Sequence, residues 1–220
     1  MRITRSFLIA AALLAATACS DANQSASTGD DGSPATGVTC EYPADGEEPA
    51  KPVDPPSTSD VPNRGTASAT LQLSAGDVEL TLDQEQAPCT VHSFLSLAEQ
   101  GYFDDTRCHR LVDEGIFILQ CGDTTAKGTG GPGYTFADET RDDLRYEAGV
   151  VAMANRGPDT NGSQFFLVFD DSELPPDYTV FGRMSDAGLG VVREVAAGGV
   201  SPTDPPAPNV EARITGVTLG

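Results

Sequence analysis

From residue 66 onward the apolar positions fall in short alternating runs. Leu71 and Leu73 alternate with polar neighbours, as do Val78, Leu80 and Leu82, with Ser74-Ala75-Gly76-Asp77 between. A period of two puts these side chains on one face of a strand, so Ala67–Asp83 predicts two strands and a turn. The period then lengthens. Val91, Phe94, Leu95 and Ala98 recur at helical spacing, behind Pro88, which suits a first helical turn, and ahead of Gly101, which suits its end. Arg107 to Val112 and Ile116 to Cys121 predict strands around Asp113-Glu114-Gly115. Ala148 to Asn155 and Gln164 to Phe169 are apolar runs separated by the turn-rich Gly157-Pro158-Asp159-Thr160-Asn161-Gly162. Thr179 to Met184 predicts another strand. Leu189, Val192, Val195 and Ala196 suit a second short helix ended by Gly198-Gly199, and Val210 to Leu219 a last strand broken at Gly216. Many short, evenly spaced strands with only two helices predict a closed or nearly closed β-barrel.

The first 65 residues lack this patterning. Arg2 and Arg5 precede an apolar run, Phe7 to Ala16, too short to cross a roughly 30 Å hydrocarbon core as a helix. Ala16-Thr17-Ala18 supplies small residues for cleavage, and Cys19 follows. Residues 1–18 are expected to be a signal peptide. Leu14 to Cys19 resembles a bacterial lipobox, with Ala16 where Leu is more usual. On that reading Cys19 is lipidated and the chain is extracytoplasmic, held at the cell membrane; plain secretion through the Ala-x-Ala site is the alternative. Residues 19–65, rich in Ser, Ala, Gly, Asp and Pro, are expected to be mostly a tether, with Cys40 and Tyr42 a candidate ordered patch. Residues 66–220 form the expected domain.

Composition narrows the chemistry. The 220 residues carry 13 Lys and Arg against 33 Asp and Glu, a net charge of −20. Nucleic acid and anionic membrane surfaces repel such a chain, so contact with a membrane is expected only through the lipid. Beyond Cys19 there are four cysteines, in what export makes an oxidising compartment. Cys108 and Cys121 flank a hairpin and are placed to pair across it, which leaves Cys40 with Cys89; buried thiols are the alternative. No spacing suits zinc, and no metal or cofactor is expected. Gly128-Thr129-Gly130-Gly131-Pro132-Gly133 satisfies G-x-G-x-x-G, but Tyr134-Thr135-Phe136 is a poor helix start, so it is set aside as a dinucleotide fingerprint. Ser163 has no nucleophile elbow. His109, without a nucleophile to serve, is expected to pack or hydrogen-bond structurally.

Three segments carry candidate chemistry: Cys108-His109-Arg110-Leu111 with Phe117-Ile118-Leu119-Gln120-Cys121-Gly122-Asp123; the glycines from 128 to 133; and Met153-Ala154-Asn155 running into Asn161-Gly162-Ser163-Gln164-Phe165-Phe166, then Phe181-Gly182. Together, over about Ala67 to Leu219, they resemble the cyclophilin family of peptidyl-prolyl cis/trans isomerases. The resemblance implies a mainly β fold, an eight-stranded antiparallel closed barrel capped by two α-helices, with a packed lumen and a substrate groove on its outer face. It implies that Arg110 is the catalytic cation. Phe117, Ile118, Phe166 and Leu174 match the apolar pocket for the substrate proline. Gln120 and Asn155 match residues that hydrogen-bond the peptide. Ala154 and Gln164 line the groove, Gly128 lies at its rim, and Tyr178 stands where many relatives carry His.

These residue types suit the reaction. Rotation about an X-Pro bond faces a barrier of about 20 kcal/mol set by amide resonance. An apolar pocket fixes the ring, hydrogen bonds hold one flank, and a guanidinium stabilises the twisted amide without covalent chemistry. Four departures stand out. Cys108 and Cys121 replace the family's common Phe and Gly, and Asp113-Glu114-Gly115-Ile116 lengthens the hairpin. Arg156 replaces a small residue beside the subsite flanking the proline pocket, and is expected to narrow it or favour acidic neighbours of the proline. Glu173 stands where cyclosporin-sensitive relatives carry Trp, so weak cyclosporin binding is expected. The reading is a monomeric isomerase acting on proline-containing exported polypeptides. The alternative is a proline-peptide binding module or chaperone without turnover.

Overall fold

The computed structural model describes residues 37–220. Gly37–Val38 (β1) and Val61–Pro62 (β2) pair antiparallel ahead of the predicted domain. The later half of the expected tether is therefore part of the folded body. Cys40, Tyr42 and Val61 are buried. Cys40 is disulfide-bonded to Cys89, and the Tyr42 hydroxyl donates to Cys89 O at 2.8 Å. The Tyr42 ring meets Tyr134 and Phe136 edge-on at 5.6 and 5.7 Å. The apolar residues here are too scattered to make a periodic signal. Their partners, Cys89, Tyr134 and Phe136, lie far along the chain.

β3 (Thr66–Leu73) and β4 (Gly76–Asp83) form the first hairpin, with Leu73 opposite Gly76, so its turn is Ser74-Ala75 alone. Helix α1 (Pro88–Glu99) buries Val91, Phe94, Leu97 and Ala98. Its N-cap, Ala87, has no side chain to offer, and Glu139 serves instead, accepting from the N–H groups of Cys89 and Thr90 and from the Thr90 hydroxyl. Lys51 sits at the other end, donating to Asp104 O at 3.2 Å and to Tyr102 O at 3.4 Å.

The predicted strand at Arg107–Val112 is broken into β5 (Thr106–Arg107) and β6 (Arg110–Glu114). β7 (Ile116–Cys121), β8 (Val150–Met153), β9 (Phe165–Val168), β10 (Val180–Met184), α2 (Asp186–Ala197) and β11 (Arg213–Leu219) complete the chain. One antiparallel sheet runs β5-β11-β3-β4-β10-β8-β9-β7-β6. Its two edge strands are consecutive in sequence. The Cys108 N–H donates to Ala212 O at 2.8 Å and the His109 N–H to Gln120 O at 3.0 Å, so the sheet returns on itself through the main chain. Counting β5 and β6 as one strand recovers the expected eight. Cys108 and Cys121 are disulfide-bonded at this seam.

The lumen is filled. Phe94 packs on Phe103, Phe165 and Phe181 at centroid distances of 5.2 to 5.5 Å, among Leu71, Leu80, Leu119 and Leu167. α2 starts at Ser185, whose hydroxyl accepts from the Gly188 N–H. All four residues of β8 and of β9 are buried, because inner and outer faces are both covered there. What covers the outer face is the candidate site.

Candidate functional site

Strand register builds the site. Arg110 pairs with Gln120, Gln120 with Phe166, and Phe166 with Ala152, across β6, β7, β9 and β8. Directly opposed residues share a face, so these side chains form one outward row. The next row holds Val112, Ile118 and Val168. Ile118, Tyr146, Val150, Ala152, Phe166 and Val168 make a second apolar cluster outside the barrel, and Ile116, Ala154, Leu174 and Tyr178 pack at its margin.

A cavity of about 620 Å³ lies over this cluster. Arg110, Ile118, Gln120, Gly128, Ala154, Asn155, Phe166, Leu174 and Tyr178 line it. Gln164 lines a second hollow of about 320 Å³, which shares Gln120, Gly128, Ala154 and Asn155 with the first. The two make one continuous groove.

Phe117 is absent from both. It pairs with Asp113, one residue out of step with Gln120, so its side chain turns to the lumen and meets Phe169 at 5.9 Å. Its own N–H donates to the Ser172 hydroxyl at 2.8 Å. Ile116 takes the outward position. Stepping back by twos from Gln120 through Ile118 reaches Ile116, so the alternation held this signal while the longer hairpin displaced the family match.

A chain of side-chain amides fixes the cation. Arg110 Nη1 donates to Gln120 Oε1 at 3.0 Å, Gln120 Nε2 to Gln164 Oε1 at 2.8 Å, and Gln164 Nε2 to Gly130 O at 3.0 Å. Arg110 forms no ion pair among the described residues, so its charge faces the groove uncompensated. The Asn155 amide donates to Asp177 O at 2.9 Å. Its main-chain N–H and C=O have no main-chain hydrogen-bond partner among the described residues and stand open to a peptide. Tyr178 meets Phe166 edge-on at 5.6 Å and closes the apolar end.

His109, expected to be structural, also lines the cavity. It is 6% exposed, and neither ring nitrogen has a hydrogen-bond partner among the described residues. Burial first, then the nearby Arg110 and Arg107, holds its pKa below 6.5 against the opposing pull of Asp123. The loop from Asp123 to Gly130 forms the rim. Backbone N–H groups of Thr125, Lys127, Gly128 and Thr129 converge on the Asp123 carboxylate. A Cβ on Gly130 would overlap Asp123 Oδ1. The glycine string thus wraps a carboxylate of its own chain, and no helix follows it. Among the described residues no group of three or more His, Cys, Asp or Glu is placed to hold a metal ion.

A family model for cyclophilin type peptidyl-prolyl cis-trans isomerases matches residues 68–218. The chain belongs to this family. It is 46% identical over 179 residues to the probable peptidyl-prolyl cis-trans isomerase B of Mycobacterium leprae, covering 75% of this chain and 61% of that protein. The chain thus spans about three fifths of that relative's length. It is 39% identical over 162 residues to peptidyl-prolyl cis-trans isomerase-like 1 of Mus musculus, covering 71% of this chain and 93% of the relative. The crystal structure of a cyclophilin type isomerase from Cryptosporidium parvum matches with a TM-score of 0.63 at 30% identity, over 71% of this chain and 98% of that one. Against this cyclophilin framework, the stretch from residue 37 to residue 67 lies ahead of the matched residues, yet it packs on the barrel.

Proposed function

We propose that the protein is a peptidyl-prolyl cis-trans isomerase for exported polypeptides, working as a monomer held at the outer side of the cell membrane by lipid on Cys19. The observation that carries the activity is one row of side chains, Arg110, Gln120 and Phe166, that sets an unpaired guanidinium beside an apolar pocket. Phe166, Ile118, Leu174 and Ile116 would seat the proline ring, and the main chain at Asn155 would hold the flanking peptide. The Gln120 amide keeps the guanidinium in place. Arg110 then donates toward the prolyl nitrogen as it pyramidalises, and that contact is stronger in the twisted amide than in either planar form. Arg suits the task because it stays charged and presents a rigid fork. A binding module without turnover would have no use for this cation.

The test is NMR exchange on a short proline peptide, using a soluble form that starts after Cys19. The wild type is expected to accelerate cis/trans exchange, and Arg110→Ala to lose at least about tenfold, roughly 1.4 kcal/mol of transition-state stabilisation. A folded wild type that leaves exchange at the uncatalysed rate would assign the groove to binding alone.

A further inference from the structure

The two ends of the groove carry opposite charge. Arg107, Arg110 and Lys127 line the larger cavity. Its one lining carboxylate, Asp204, is taken by Arg107 at 2.9 Å. Arg110 and Lys127 are in no ion pair among the described residues. The buried, unpartnered imidazole of His109 faces the same space, so this end offers positive charge together with unfilled hydrogen-bonding positions.

The second hollow has the opposite character. Asp45 and Glu47 form part of its wall. Glu48 joins them in an adjoining recess of about 380 Å³ that shares Gly130, Gly131 and Arg156. None of the three carboxylates is in an ion pair among the described residues; Asp45 accepts only the nearby Glu47 N–H at 2.8 Å. Arg156 is the lone cation here, and its guanidinium donates to Thr129 O at 2.9 Å, bridging the two rims. It therefore reaches across the hollow, while Asp45 and Glu47 in its wall and Glu48 in the adjoining recess outnumber it.

This wall comes from outside the family-matched residues 68–218. Backbone bonds fix it to the rim loop, Asp45 N–H to Gly133 O at 3.2 Å and Ala50 N–H to Gly131 O at 2.9 Å. The Cys40–Cys89 disulfide fastens it from behind.

We infer that the groove is charge-polarised and selects proline segments with an acidic group on one side of the proline and a basic group on the other. The Arg110 and Lys127 end takes the acid, and the Asp45–Glu48 wall takes the base. This deepens the isomerase reading and rests on it. Both charge contacts are solvent-accessible, so together they amount to about three- to tenfold in kcat/KM and are screened by salt.

The experiment uses twin blocked peptides of identical composition. One has Lys two residues before the proline and Glu two after; in the other the two are exchanged. Equal net charge cancels the long-range pull of an acidic protein. At low salt one twin is expected to be isomerised about three- to tenfold faster. The preference should collapse at about 0.5 M salt and in the triple variant Asp45→Asn, Glu47→Gln, Glu48→Gln; Lys127→Gln should weaken it independently. Equal rates for the twins, or a preference that survives the triple variant, would overturn the inference while leaving the isomerase reading intact. No catalysis of either twin or of a neutral proline peptide would instead sink the isomerase reading.

Discussion

Asp123 is fully buried and accepts from four main-chain N–H groups and the Thr125 hydroxyl. Burial works against its ionised form, but the hydrogen bonds from Thr125 and from the rim-loop main chain outweigh it and hold the carboxyl below its ordinary 3.8. A depressed carboxyl pKa stabilises the fold above the unfolded value, and that contribution is lost as pH falls through the folded one. Asp123→Asn is expected to cost about 3 kcal/mol in urea denaturation at pH 7. The gap to the wild type should close as pH falls below 3.8. A gap independent of pH would show that shape, not charge, holds the rim loop. Little of this was legible beforehand. The string Gln-x-Gly-Asp marked the residue, but its donors are main-chain N–H groups, which every non-proline residue has. The outward row at Arg110, Gln120 and Phe166 was legible, because residue type and strand period both point to it. Phe117 was misplaced because the family match was followed over the alternation, which already set Ile116, in step with Ile118 and Gln120, on the outward face.

Among the elements, α2 gives a matched pair of glycines two positions apart. A Cβ on Gly188 would lie 3.0 Å from Val78 Cγ1 and 3.1 Å from Val78 Cα, where the helix rests on β4. A Cβ on Gly190 meets nothing within 4 Å. Gly188→Ala is expected to lower stability by about 1–3 kcal/mol, by prising the helix off the sheet. Gly190→Ala should raise it by up to about 1 kcal/mol through helix propensity. Urea midpoints of the two variants decide it, and a shift of the same sign in both would refute this packing. Periodicity located both helices and the strands of the barrel, because each buries one face against a common core. It missed the interruption at Cys108-His109, where one strand changes partner from β11 to β7. It also missed β1 and β2, whose partners are too few to show as alternation.

At the scale of the whole molecule, the disulfides join what the sheet alone leaves separate. Cys40 and Cys89 are 49 residues apart, and closing a loop of that length removes about 4 kcal/mol of unfolded-chain entropy in the simplest account. That fastening explains how an acidic, proline-rich stretch with little apolar content stays on the barrel. The sequence allowed three connectivities, with buried thiols as the alternative, and the hairpin that Cys108 and Cys121 flank pointed to the pairing observed. The proposed lipidation falls on Cys19, outside the described residues, and its test is fractionation. The wild type is expected in the membrane fraction, with acylation visible by mass spectrometry of its N-terminal peptide, and Cys19→Ala in the soluble fraction. An unacylated wild type that starts at another residue would favour plain secretion. The Cys40–Cys89 bond also decides where a mechanical load would go. If the amino terminus is tied down while a client polypeptide tugs on the groove, tension along the chain reaches Cys40 and crosses through sulfur into the first turn of α1. Residues 43 to 50 lie beyond that crossing, so such a load would bypass the groove's acidic wall.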